Sequence, residues 1–277
     1  MFVNGKERKD KKRYIMNLFG ILKKNRKLIW SLAKNDFKSR FAGSYLGIFW
    51  AFVQPVVTIM VYWFVFQVGF RNGSVDEFPF VLWLTAGLVP WFYFSEAWTG
   101  ASGSLVEYSY LVKKVVFNID ILPMIKALSA LFVNLFFVSF FILICSFYGY
   151  YPSVYTLQIF YYILCQFALV IALSYITSAI LVFFRDLGQV IGIALQIGMW
   201  MTPIMWQSSM LGEKYQRIIK LNPMYYIVNG YREAVLSKEW FFQHALWTVY
   251  FWGLVFVLLF IGTKIFKRLK PHFADVL

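Results

Sequence analysis

The sequence predicts an all-α membrane protein: six transmembrane helices with both termini cytoplasmic, an N-terminal amphipathic interfacial helix, and external re-entrant or surface helices before the last span. Three observations carry this. The 277-residue chain is 60% hydrophobic and only 14% charged, whereas soluble domains are about 45–50% apolar and about 25% charged. One soluble core cannot hold that much apolar surface. The charges are also segregated: 13 of the 27 Lys and Arg precede residue 45, and Tyr45–Phe70 then runs for 26 residues without one. Finally, the basic residues sit at the ends of apolar runs, where anionic headgroups lie. That placement points the net charge of +14 at membrane lipid and away from nucleic acid.

Residues 1–44 read as a cytoplasmic basic tail and interfacial helix. Ile15, Leu18, Phe19, Leu22, Ile29, Trp30, Ala33, Phe37 and Phe41 recur at helical spacing, and Lys23, Lys24, Lys27, Lys34 and Lys38 occupy much of the rest. Such a helix lies in the plane of the interface. It is either a topology anchor or a working surface that touches a headgroup or a partner. The segment is too polar for a signal-peptide core, so no cleavable leader is expected.

A span needs about 20 apolar residues at 1.5 Å rise each. Tyr45–Phe70 is the first, and Phe78–Val106 the second, interrupted only by Glu96. Ala127–Phe184 has 58 residues without a charge and suits two spans hinged at Tyr148–Ser153. Leu187–Gly212, broken near Pro203, is the fifth, and Trp240–Thr263 the sixth. The transmembrane domain is therefore 45–266, with a cytoplasmic tail at 267–277. This arrangement leaves 21 Lys and Arg inside and 6 outside, as the positive-inside rule requires.

Two links are unusual. Segment 102–123 is cytoplasmic by charge yet half apolar, the mark of a docking surface. A short helix there would present Tyr110, Leu111 and Val112 to a cytosolic protein. Segment 203–239 is external, too apolar to be wholly solvated and too charged to span. A pair of short helices around Asn222–Leu236 satisfies both limits.

Catalytic signatures are missing from the sequence. It holds no glycine-rich phosphate loop, so no ATP hydrolysis is expected of this chain. His244 and His272 are far apart, and no metal site is expected. Cys145 and Cys165 lie in apolar runs and read as free thiols. Arg185 and Asp186 read as an ion pair at the inner loop. Glu96 is either a structural partner of a neighbouring Ser, Trp or Lys, or a proton-coupling group. Phe, Tyr and Trp number 60. Trp50, Tyr62, Trp63, Trp83, Trp91, Trp200 and Trp206 sit deep in spans. They suit either sugar stacking in a conduit or plain helix packing.

Six short motifs occur in order: Arg40–Pro55, containing Ser44-Tyr-Leu-Gly-Ile-Phe-Trp50; Gly87–Phe92; Leu111–Pro123; Phe184–Gly188; Thr202–Ile204; and Asn222–Tyr225 followed by Tyr231-Arg232. Over residues 25–265 the chain resembles membrane subunits of polysaccharide-exporting ATP-binding-cassette transporters. Within that family it is most similar to wall teichoic acid exporters, with O-antigen and capsule permeases related. Asn118 stands where the family often has Pro. The resemblance implies a homodimer in the bacterial cytoplasmic membrane with two cytosolic ATPase subunits. Those partners would hold ATP and Mg, with no cofactor on this chain. The implied cargo is a glycan or teichoic acid polymer on a polyprenyl diphosphate. Unsatisfied hydroxyls cost about 4–8 kcal/mol each in hydrocarbon, so such a cargo needs a conduit. On this reading Lys34, Lys38 and Arg40 gather the diphosphate. Tyr45, Trp50, Tyr62, Trp91, Trp200 and Trp206 line the conduit. Tyr108, Tyr110, Leu111, Val112, Lys113 and Lys114 couple to the ATPase. The alternatives are a membrane-integral enzyme or scaffold of envelope glycan synthesis, which would need a carboxylate cluster, and an ion-coupled secondary transporter, which would need charged spans.

Overall fold

In the computed structural model, residues 20, 25–40, 45–69, 74–75, 78–114 and 117–277 are described. The basic segment forms helix α1 over 25–40. Ile29 and Ala33 are buried on its inner face, and Lys34 and Lys38 point outward. Ile15, Leu18, Phe19, Leu22, Lys23, Lys24 and Phe41 of the predicted amphipathic pattern lie outside the described residues.

Among the described residues, five helical stretches are long and apolar enough to cross a membrane: Gly47–Gly69, Phe80–Glu107, Ile119–Phe147, Val154–Leu181 and Phe241–Val276. Their α-helical parts are α2 (Trp50–Trp63), α3 (Phe80–Glu107), α4 (Leu122–Phe147), α5 (Gln158–Leu181) and, last in the chain, α9 (Ala245–Leu269). The predicted fifth span is shorter than expected. Helix α6, Leu187–Met201, has 15 residues and reaches only about 22 Å. Thr202 turns to extended backbone, ψ 129°, because the ring of Pro203 disfavours the helical conformation before it.

The Tyr148–Ser153 hinge forms as expected. α4 stops at Tyr148, Gly149 takes the left-handed φ of 88°, and the Thr156 hydroxyl accepts from the Ser153 N–H to start the next helix. Segment 203–239 folds into α7 (Glu213–Lys220) and α8 (Pro223–Arg232). Asn222 caps α8 by accepting from the Met224 N–H at 3.0 Å, and its amide donates to Thr202 Oγ1 at 2.8 Å. Pro223 fits the first helical position, where an N–H would be orphaned. Both cysteines are free and buried.

α3 is the central post. Its apolar window is 78% buried, against 6% for the first span. Helices α4, α5, α6 and α8 all pack on it. Lipid is as apolar as leucine, so close packing and internal hydrogen bonds hold such helices together. Asn134 of α4 donates to the Val89 carbonyl, and Gln166 of α5 donates to that of Pro90. Pro90 breaks the local backbone ladder, and the two amides converge there. Near the start of α5, Gly230 lets α8 lie against the Tyr162 ring; a Cβ there would fall 2.0 Å from Tyr162 Cζ.

Segment 102–123 departs from expectation in detail. The one-turn helix Ser109–Val112 turns Tyr110 outward, 58% exposed, but buries Val112 and half-buries Leu111. A single turn cannot present three consecutive side chains on one face. Arg185 and Asp186 are both exposed and make no ion pair with each other among the described residues. Adjacent side chains on a helical turn diverge.

Candidate functional site

A polar cluster lies where α1 meets the Glu107 end of α3. The Asp36 carboxylate, on the inner face of α1, accepts from Lys126 Nζ of α4 at 2.7 Å and from the Tyr108 hydroxyl at 2.5 Å. Lys126 also donates to Glu107. Both Asp36 and Lys126 are buried. Burial alone would raise the Asp36 carboxyl, but the hydrogen bonds from Lys126 and Tyr108 and the Lys126 charge oppose it and hold the pKa below the usual carboxylate range. Burial, then the neighbouring Asp36, push the Tyr108 phenol upward. A second strut joins the tail to this region: Lys270 donates to Asp120 at 2.7 Å.

One turn further along α1, Arg40 pairs with Glu96 of α3. Glu96 was expected to meet Ser, Trp or Lys; its partner is the arginine of the first motif. Arg40, Ser95 and Glu96 form the shared wall of two cavities, of about 540 and 390 Å³. The larger carries Asp36, Glu107 and Lys126, so three carboxylates face two cations. The smaller runs up α2 past Trp50, Gln54 and Thr58. The wall the two cavities share is polar, but it is not a ready-made phosphate site, because three carboxylates outnumber two cations.

The predicted lining residues are distributed over two open faces. Tyr45 and Trp50 are exposed and Tyr62 half-buried beside α2. Trp200 is 57% exposed on α6, and the Trp206 indole donates to its carbonyl at 2.9 Å. Trp91 differs: it is buried under Gly198 of α6. α2 and α6 each lean on α3. Lys34 and Lys38 are exposed, as are Lys113 and Lys114.

At the other end of α3, Arg232 of α8 is buried, with its guanidinium 3.5 Å from the Trp83 ring centroid and donating to the Ile204 carbonyl at 3.2 Å. Glu233 follows it, held by Asn229 at 2.6 Å and close to Glu239 and His244. Burial pushes the Glu233 carboxyl up to about 7, with His244 opposing and Glu239 adding.

Sequence reasoning missed Asp36 as a site residue and treated Lys126 only as a topology marker. A signal existed: Asp36 stands three residues after Ala33 and seven after Ile29, so it falls on the apolar stripe.

The long apolar helices define a multi-pass membrane protein. Residues 27–236 match the ABC-2 type transporter membrane family, and the chain belongs to it. It is similar to the O-antigen export system permease protein RfbA of Klebsiella pneumoniae, 27% identical over 251 residues, covering 90% of this chain and 95% of the relative. The protein of the same name from Myxococcus xanthus is 28% identical over 256 residues, with the same coverage.

Proposed function

We propose that this chain is the permease subunit of an ATP-driven exporter that moves a polyprenyl-diphosphate-linked polymer across the bacterial cytoplasmic membrane. The observation that carries this is the similarity to O-antigen export permeases along nearly their whole length. In this reading six helices span, α6 being the short one, and both termini are cytoplasmic. Two copies assemble with two ATPase subunits, which hold ATP and Mg. The open faces of α2 and α6, rich in Trp50, Tyr62, Trp200 and Trp206, meet those of the second copy and enclose the conduit. Their poor packing within one chain supports this. Tyr110 with Lys113 and Lys114 faces the ATPase, and the Asp36–Lys126–Tyr108 cluster ties that segment to α1.

Lys34 and Lys38 attract the lipid diphosphate. Arg40 receives it by exchanging Glu96 for phosphate, since arginine binds phosphate with two donors. A teichoic acid polymer and a neutral glycan share this anchor and differ in backbone charge; the sequence motifs favour teichoic acid. The test is ATP-dependent translocation in liposomes holding the chain and its ATPase, with each lipid-linked polymer in turn. Movement of neither would refute the exporter reading. Movement of the neutral glycan alone would refute teichoic acid as cargo.

A further inference from the structure

The end of α3 remote from α1 carries a second built cluster that the transport reading does not use. Glu233 closes α8, and Glu239 and His244 belong to the link into α9. The link is shaped to bring them together. The last turn of α8 widens over Glu233–Ser237, and Lys238 adopts the left-handed region at φ 57°, unusual for a non-glycine residue. The Gln158 side chain of α5 then grips both sides of the bend, donating to the Glu239 carbonyl at 2.8 Å and accepting from the Phe241 N–H at 2.7 Å. As a result, one ligand-type atom from each of Glu233, Glu239 and His244 lies within 4.8 Å of the others.

His244 Nε2 is 3.5 Å from a Glu233 oxygen and 3.3 Å from a Glu239 oxygen. Charge-assisted hydrogen bonds are shorter, about 2.7–2.9 Å. Two ligands on a tetrahedral zinc ion, with bonds of about 2.0 Å, stand roughly 3.3 Å apart. Asn229 fixes the other side of the site by donating to Glu233, as supporting residues around metal ligands do. The Tyr162 ring, 1% exposed, packs against Gly230 in the last turns of α8, and its phenol faces Glu233.

We infer that Glu233, Glu239 and His244 form a binding site for a divalent transition cation of the zinc type. One imidazole and two carboxylates suit zinc, whereas magnesium takes oxygen ligands in octahedral array. The ion joins the end of α8 to the start of α9 and leaves a fourth position for water or the Tyr162 hydroxyl. The distance between His244 and His272 in sequence is irrelevant to it, because the ligands come from one bend.

The test uses the full, untagged chain in nanodiscs, titrated with Zn²⁺ alone by calorimetry and assayed for retained metal after dialysis. One tightly held ion per chain is expected, with affinity lowered about tenfold or more in His244→Ala and in Glu239→Gln. Both side chains are about half exposed, so these variants keep their packing. His272→Ala should bind as the parent does. X-ray absorption of the zinc-loaded chain should show one imidazole in a shell of nitrogen and oxygen. Failure to retain zinc would overturn the site. So would equal retention by His244→Ala, or displacement by equimolar Mg²⁺.

Discussion

Asp36 of α1 and Lys126 of α4 form a buried ion pair of 2.7 Å, ninety residues apart in the chain, and Tyr108 donates to the same carboxylate. The pair fastens α1 to the segment that follows α3. Removing one partner of a buried pair leaves a bare charge and costs about 3–5 kcal/mol. Asp36→Ala or Lys126→Ala should therefore lower the thermal midpoint in detergent markedly. The double change Asp36→Leu with Lys126→Met should recover most of the loss. If the double variant is as unstable as the sum of the singles, the two residues do not act as a pair.

The same carboxylate sets an acid limit. Its folded pKa lies below the ordinary value, so its contribution is fully present above the unfolded carboxylate range and is lost as pH falls through the lowered value. The stability gap between the parent chain and Asp36→Asn should be flat from pH 7 to about pH 5 and shrink only in stronger acid. A gap that closes between pH 7 and 6 would contradict the assignment.

On segment 102–123, Tyr110 and Val112 should separate two effects. Tyr110→Asp alters an exposed side chain and should weaken co-purification of the ATPase while leaving stability within about 0.5 kcal/mol of the parent. Val112→Asp places a carboxylate in a buried position and should destabilise the chain itself. Unchanged co-purification of Tyr110→Asp would remove this surface from the interface.

Arg40 and Glu96 offer a test of headgroup exchange. Glu96→Gln releases Arg40 and should raise affinity for anionic lipid vesicles, whereas Arg40→Ala should lower both lipid affinity and export with assembly intact. Identical behaviour of the two variants would dissociate the pair from substrate capture.

Gly230 marks the tightest contact between α8 and α5. A methyl group there would overlap the Tyr162 ring, and overpacking costs about 1–3 kcal/mol or more. Gly230→Ala should misfold or melt early, and Tyr162→Ala on the same chain should restore part of the loss, read as monodisperse yield after extraction.

Much of this fold is written in hydropathy. Tyr45–Phe70 and Ala127–Phe184 announce themselves because charge is excluded from hydrocarbon, and the bend at Tyr148–Ser153 follows from its glycine and proline. The fifth span was overestimated because Ile204 and Met205 continue the apolar run after the backbone has left the helix at Thr202. Polar sites were less legible. Lys126 looks like any flanking lysine, and only the fold sets it against Asp36. Arg232 meets the carbonyl of Trp83 from 149 residues away, a pairing no local pattern encodes. Glu233, Glu239 and His244 are close in sequence, but the left-handed Lys238 that gathers them has no sequence signal of its own.

The contrast between α2 and α3 has a mechanical meaning. α3 is clamped on most sides, whereas α2 buries only Ile59. Such a chain is stiff at its axis and compliant at one flank. On the proposed function, a lipid-anchored cargo need not be lifted out of the bilayer to use it. Swinging one lightly held helix aside would let the headgroup enter sideways while the hydrocarbon tail stays among its own kind.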